Sequence, residues 1–285
     1  MMKKRTIFIF VVLMVAAMVL AGCGGGSSDS GDKATADKGD VLRVGMECGY
    51  PPFNWTQVDD SNKAVAIDGG NYAGGYDVEI AKLIADGLGK ELVIVKTAWD
   101  GLTPAVQSDT IDVIMAGMSP TAERKETIDF SDYYYHSDLV MVVKKGGPFE
   151  NAKSLEDFKD AKVTGQLNTF HYSVIDQIPG VVKEQAMEDF PAMRVALQSG
   201  MIDAYVSERP EGISATAAND EFAMVIFDEG KGFEYTTDDS AISVGLKKGN
   251  DELREKINEI LKTIPEEKRQ EIMEAAIKNQ PSEQE

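Results

Sequence analysis

Short apolar strands alternating with amphipathic helices, in two successive sets between Val41 and Val206, predict an α/β protein with two lobes and mostly parallel sheets. Length agrees: about 245 residues follow Asp40, enough for two modest domains. An internal similarity also agrees. Residues 105–112 (AVQSDTID) and 196–203 (ALQSGMID) share five of eight positions. Either this is chance or a common helix-to-strand turn, or each lobe carries one equivalent helix-turn-strand unit.

In the first set, residues 41–46 read as a strand. Residues 77–88 form a helix with Val78, Ala81, Ile84, Ala85 and Leu88 on one face, and Gly89 as its stop. A strand at 92–95, a helix from Pro104 to Ser108 and a strand at 111–116 follow. The second set has a helix at 155–158, a strand at 162–164, a helix at 190–199 and a strand at 202–206. Residues 251–264 and 266–278 read as two amphipathic helices parted by Pro265.

The first forty residues differ in kind. Lys3, Lys4 and Arg5 precede fifteen residues, Ile7 to Ala21, with no charged or strongly polar side chain. That length falls short of the roughly 20 residues that span a bilayer. With the small residues before Cys23, it reads as a secretory signal peptide over residues 1–22. Residues 23–40, rich in Gly, Ser and Asp, read as a flexible tether reaching about 20–25 Å.

Without the signal, 26 basic residues face 48 acidic ones, a charge of −22, which disfavours nucleic acid and anionic membrane surfaces as partners. Solubility accounts for most of this acidity. Cys48 is left without an intrachain partner and reads as a buried free thiol. No Cys-x-x-Cys or His-Glu-x-x-His is present to hold a metal. No cofactor, metal site or catalytic residue is expected.

If the two similar units are equivalent, the loops after their strands face one another, because ligands of open α/β sheets bind beyond the carboxyl ends of the strands. The first loop, Gly117-Met118-Ser119-Pro120-Thr121, leads to Arg124. A Thr121 cap would bring backbone N–H groups and a guanidinium to one point, suited to a carboxylate. An ordinary capped helix with a solvated arginine is the other reading, and the one this spacing alone favours. The second loop carries Glu208, whose carboxylate suits an ammonium. Together they match the two charges of a zwitterion. Glu47, Tyr50 and Trp99 are candidates for a side-chain pocket, with core packing the other reading of the two aromatics.

Several strings are similar to those of one family. Leu20-Ala21-Gly22-Cys23 resembles the bacterial lipobox, in which the cysteine is acylated. Gly75-Tyr76-Asp77-Val78-Glu79-Ile80, Tyr50-Pro51-Pro52-Phe53, the run from Ala116 to Arg124, and Ile128-Asp129-Phe130-Ser131-Asp132-Tyr133-Tyr134 resemble family 3 solute-binding proteins, the amino-acid-binding lipoproteins of ABC importers. The resemblance runs from about Leu42 to Lys278.

It implies a type II periplasmic-binding-protein fold, two Rossmann-like lobes joined by two hinge strands. Lobe 1 would take residues 41–132 and 242–285, and lobe 2 residues 133–241. The chain would cross near 131–136 and return near 238–242. The ligand α-carboxylate falls to Arg124 with Gly117 and Ser119, the α-amino group to Glu208, and the side chain to Glu47, Tyr50 and Trp99. Gln166, Thr169 and Phe170 supply second-lobe contacts, where relatives often carry Gly-Thr-Thr. His171 beside them reads as structural or solvated.

The implied protein is a monomer, lipid-anchored through Cys23 on the extracytoplasmic face of the cell membrane, that serves an ABC permease and its ATPase. Glu47 tilts the expected ligand towards lysine or arginine. The alternatives are a cyclohexadienyl (prephenate or arogenate) dehydratase on the same fold, with Glu208 or Glu47 as general acid, and a ligand-sensing protein.

Overall fold

The computed structural model describes residues 40–281. The expected signal peptide, Cys23 and all of the tether but Asp40 lie outside the described residues. The first-lobe elements are β1 (Val41–Met46), β2 (Gly49–Tyr50), β3 (Asn54–Gln57), β4 (Val65–Ile67), β5 (Asn71–Gly74), α1 (Tyr76–Leu88), β6 (Glu91–Lys96), α2 (Trp99–Gln107), β7 (Val113–Ile114) and α3 (Ala122–Thr127). Then β8 (Ile128–His136) runs into β9 (Leu139–Lys144). The second lobe continues with β10 (Lys162–Thr164), α4 (Phe170–Ser173), β11 (Val182–Lys183), α5 (Phe190–Ser199), β12 (Ala204–Glu208), α6 (Arg209–Ala218) and β13 (Phe222–Val225). After α7 (Thr237–Ser240), the chain returns through β14 (Ala241–Lys247), α8 (Asp251–Lys262) and α9 (Glu266–Asn279).

Each lobe is built on a five-stranded sheet, and the two sheets have the same plan. The order is β6-β1-β7-β14-β8 in one and β11-β10-β12-β9-β13 in the other. In both, the first three strands are parallel and the last two join antiparallel. A four-stranded antiparallel sheet, β2-β3-β5-β4, extends the first lobe.

The sequence repeat is a structural repeat. Asp112 Oδ2 accepts from the Arg43 amide at 2.8 Å, and Asp203 Oδ2 accepts from the Lys162 amide at 2.8 Å. Each aspartate thus pins the start of the neighbouring parallel strand, one in each lobe. Ala105 and Ala196 carbonyls both receive the amide five residues on, at 2.9 Å. Equal jobs account for the shared residues.

Three local expectations change. Pro104 lies inside α2, which begins at Trp99 rather than at the proline. Sequence reading took the ring as a helix start, its favoured place, yet this short helix tolerates the lost donor. Residues 111–116 pair as a strand only at Val113–Ile114, and residues 155–158 make a single 3₁₀ turn. Cys48 is the free cysteine among the described residues and is buried; burial pushes its thiol up to about 12.

The hinge is a pair of crossing segments. β8 and β14 pair up to His136 and Ala241, and the Ser137 amide donates to the Ser240 carbonyl at 3.2 Å. Their register breaks around Ser243. There the Ser243 amide donates to the Met118 carbonyl at 3.1 Å, and the Val244 amide to Ser131 Oγ at 3.0 Å. The irregularity therefore ties the hinge to the loop after β7. The C-terminal helix meets both lobes: α9 packs on α1 and α6, and Gln280 Nε2 donates to the Ser214 carbonyl at 3.1 Å.

The second lobe holds a buried ion pair. Arg194 on α5 donates through Nε and Nη2 to Glu211 Oε1 on α6, at 3.0 and 2.9 Å, and Tyr205 donates to the same oxygen at 3.0 Å. Burial raises Glu211 above the usual glutamate range although Arg194 works against it. Removing one partner of such a pair leaves an uncompensated charge. Arg194→Met should lower unfolding stability by about 3–5 kcal/mol, read from the urea transition of the second lobe.

Candidate functional site

The cleft between the lobes is walled on one side by the loops after β1 and β7. Gly117 has φ +60°, a conformation that favours glycine, and a Cβ there would sit 2.5 Å from the Tyr50 ring. Its amide donates to Asp77 Oδ2 at 2.9 Å. Asp77, at the start of α1 and fully buried, also accepts from Asn54 Nδ2 at 2.9 Å and from Tyr134 Oη on β8 at 2.6 Å. Burial raises its carboxyl to about 7 against these three donors.

Thr121 caps α3, its side chain accepting the Arg124 amide at 3.3 Å. Arg124 then folds back as helical side chains do. Nη1 donates to the Ser119 carbonyl at 2.9 Å, and the guanidinium carbon lies 5.0 Å from the centre of the Trp99 ring. Loss of solvent lowers Arg124 to about 10, partly offset by Glu123, Glu208 and Asp239, so it remains a cation at neutral pH.

The facing wall belongs to the second lobe. Gln166 Nε2 donates to Glu47 Oε2 at 3.0 Å and to the Glu188 carbonyl at 3.1 Å, while Thr169 Oγ1 donates to the Gln166 carbonyl at 2.7 Å. Asn168 has φ 55°. Its carbonyl accepts from Arg124 Nη2 at 3.2 Å, and its amide side chain donates to Asp100 Oδ1 at 2.8 Å. Tyr50 stacks on Phe190, ring centres 4.2 Å apart, and its hydroxyl donates to Glu208 Oε2. Five contacts therefore cross from lobe to lobe within one small region.

Eight of the ten residues picked out from sequence line a single cavity here: Tyr50, Trp99, Gly117, Ser119, Arg124, Gln166, Thr169 and Phe170. The other two, Glu47 and Glu208, stand behind it, Glu47 through Gln166 and Glu208 through Tyr50. His171, set aside as structural or solvated, is also in the lining. It is buried on α4, and Nε2 lies 2.8 Å from Glu208 Oε1, off the line of a hydrogen bond. Nothing in the local sequence marked it as a lining residue. The enclosed space is about 10 Å³, room for about one water, so an amino-acid-sized solute enters only when the lobes separate.

The two acids are in opposite states. Burial would raise Glu208, but the neighbouring His171 and the hydroxyl of Tyr50 outweigh it and hold the carboxyl below the usual glutamate range. Glu47 has no cation beside it. Burial, only partly offset by Gln166, pushes it up to about 8. A cation thus stands on one lobe and an anion on the other, with aromatic rings between them, charges complementary to those of a small zwitterion. No group of residues able to hold a metal ion occurs among the described residues, and no helix among them is long and apolar enough to cross a membrane.

A hinged two-lobe α/β clamp of this kind defines a solute-binding protein. Residues 42–278 match the family of bacterial extracellular solute-binding proteins, family 3, and the chain belongs to that family. Among similar proteins, the L-cystine-binding protein TcyJ of Escherichia coli (strain K12) is 30% identical over 222 residues, 78% of this chain and 76% of that protein. The arginine-binding extracellular protein ArtP of Bacillus subtilis (strain 168) is 26% identical, over 90% of this chain and 92% of that one. Among solved structures, an amino acid ABC transporter substrate-binding protein, AbpA from Streptococcus pneumoniae, bound to L-arginine, superimposes with a TM-score of 0.71 at 26% identity, covering 84% of this chain and 94% of that one. An ancestral arginine-binding protein bound to arginine gives 0.67 at 33% identity, covering 82% and 97%. These relatives are binding proteins rather than enzymes, and the dehydratase alternative falls with them.

Glu47 and Asp77 make stability depend on pH. Below about pH 3 both are protonated in folded and unfolded chains alike. As pH rises, the unfolded chain ionises first while the folded chain holds its protons up to about 7 at Asp77 and about 8 at Glu47, so stability falls across that window. Glu47→Gln should flatten the upper part of the decline, measured as urea midpoints between about pH 5 and pH 9.

Proposed function

We propose that this protein captures an amino acid between its lobes, with a basic side chain preferred, and delivers it to an ABC permease. The observation that carries the reading is the pairing of charges across the cleft: Arg124 with Gly117 and Ser119 on one lobe for the α-carboxylate, and an ionised Glu208 on the other for the α-ammonium. Solute docks first on the open first lobe, against Arg124, Tyr50 and Trp99. The second lobe then closes with Glu208 and Gln166. Such a ligand stabilises the closed state only by contacting it better than the open one, and the closed shape is what a permease reads.

The preference for lysine or arginine rests less on Glu47 than its charge suggests, because its neutral form is favoured near pH 7. A basic side chain placed against it would favour ionisation and release a proton. Support comes also from relatives described as binding arginine. The cystine-binding relative makes cystine the main competitor.

Calorimetric titration of the stripped protein with the twenty amino acids and cystine tests the ligand. The reading expects arginine or lysine to bind most tightly; an acidic, apolar or cystine preference overturns the basic part of it. Arg124→Ala and Glu208→Gln should each weaken binding about 10–150-fold, the worth of one charge-assisted bond.

The same proposal places the chain on the extracytoplasmic face of the membrane, held by lipid on Cys23 and working as a monomer. Two or more acyl chains are needed for stable anchoring. Cys23→Ala should release the protein into the medium with ligand affinity in solution unchanged. A variant that stays with the membrane fraction removes the anchor from this account.

A further inference from the structure

His171 is placed as a binding group rather than as packing. It lines the cavity with Arg124 and Gln166, its side chain is more than nine-tenths buried, and neither ring nitrogen has a hydrogen-bond partner: Nε2 lies 2.8 Å from Glu208 Oε1 but off the line of a bond, and Nδ1 has no polar neighbour in reach. A buried ring nitrogen left unmatched costs free energy unless something meets it. Charged and titratable groups near it are Glu208 on β12, with Tyr50 from the first lobe on the same carboxylate, Arg124 across the cavity, and Glu47 behind Gln166. Phe170 and Phe190 fill its remaining surroundings, with ring centres 4.8 and 6.3 Å away. None of these offers Nδ1 a donor.

We infer that His171 is a specificity-determining contact of this site: Nε2 steadies Glu208, and Nδ1 accepts an N–H from the bound amino acid. With the ring proton on Nε2, beside the carboxylate that attracts it, Nδ1 keeps its lone pair. The second lobe then offers two acceptors at the cleft, His171 in the cavity lining and Glu208 behind it. That pattern fits a ligand rich in N–H donors, an ammonium or a guanidinium, and disfavours one whose side chain ends in a carboxylate. The inference rests on the amino-acid reading above and sharpens it, because it assigns the donor preference to the second lobe and not to Glu47.

The test compares wild type, His171→Gln and His171→Ala by calorimetry with arginine, lysine, citrulline, cystine and glutamate at one fixed pH. His171→Gln, whose side-chain amide oxygen can accept in place of the ring nitrogen, should keep affinity for the tightest ligand within about threefold. His171→Ala should bind that ligand about 5–12-fold more weakly, the worth of one neutral hydrogen bond.

An alanine variant with wild-type affinity overturns the inference. So does a glutamine variant as weak as the alanine one, since a restored acceptor would then not be what the ligand meets. A preference for cystine or glutamate would remove the basic reading alone, because His171 is judged by the variants on whichever amino acid binds tightest.

Discussion

The first-lobe wall of the cleft hangs on one buried carboxylate. Asp77 takes a hydrogen from the Gly117 amide in the binding loop, from Asn54 beyond Tyr50-Pro51-Pro52-Phe53, and from Tyr134 on the crossing strand β8. A fully buried acid is expensive, and here three donors repay it. The arrangement also sets geometry: Gly117 is drawn into positive φ against the Tyr50 ring, where no side chain fits. The second crossing strand grips the same loop through the Ser243 amide. Both crossing strands thus hold the binding loop through short hydrogen-bonded paths, Tyr134 through Asp77 and Ser243 directly on Met118.

Much of this was legible because each lobe repeats one solution. The aspartates ending the two similar strings, Asp112 and Asp203, carry the same backbone task in the two lobes, each holding an amide of the adjacent parallel strand, and identical tasks leave identical residues. Arg124 was legible through its cap, since Thr121 fixes the helix start and so the reach of the side chain. His171 was not legible. Local sequence gives no sign that α4, a single turn, carries it inward to within 2.8 Å of a carboxylate thirty-seven positions away in the chain. Pro104 misled for a related reason, because tertiary packing of α2 overrides the position a proline prefers.

Glu47 and Glu208 show how environment, not residue type, assigns a role. Both are glutamates, both are buried, and both lie at the ends of strands that point into the cleft. Charge at Glu208 survives because an imidazole and a phenol stand beside it; charge at Glu47 is disfavoured because its one partner is an amide. Reading both as anions from sequence would put two negative charges in the cleft against the single cation of Arg124. The structure leaves one permanent charge on each lobe, the balance a zwitterion matches. Near neutral pH Glu47 is held mostly protonated, so under the proposed reading a site balanced for neutral amino acids would accept a basic one by giving up that proton.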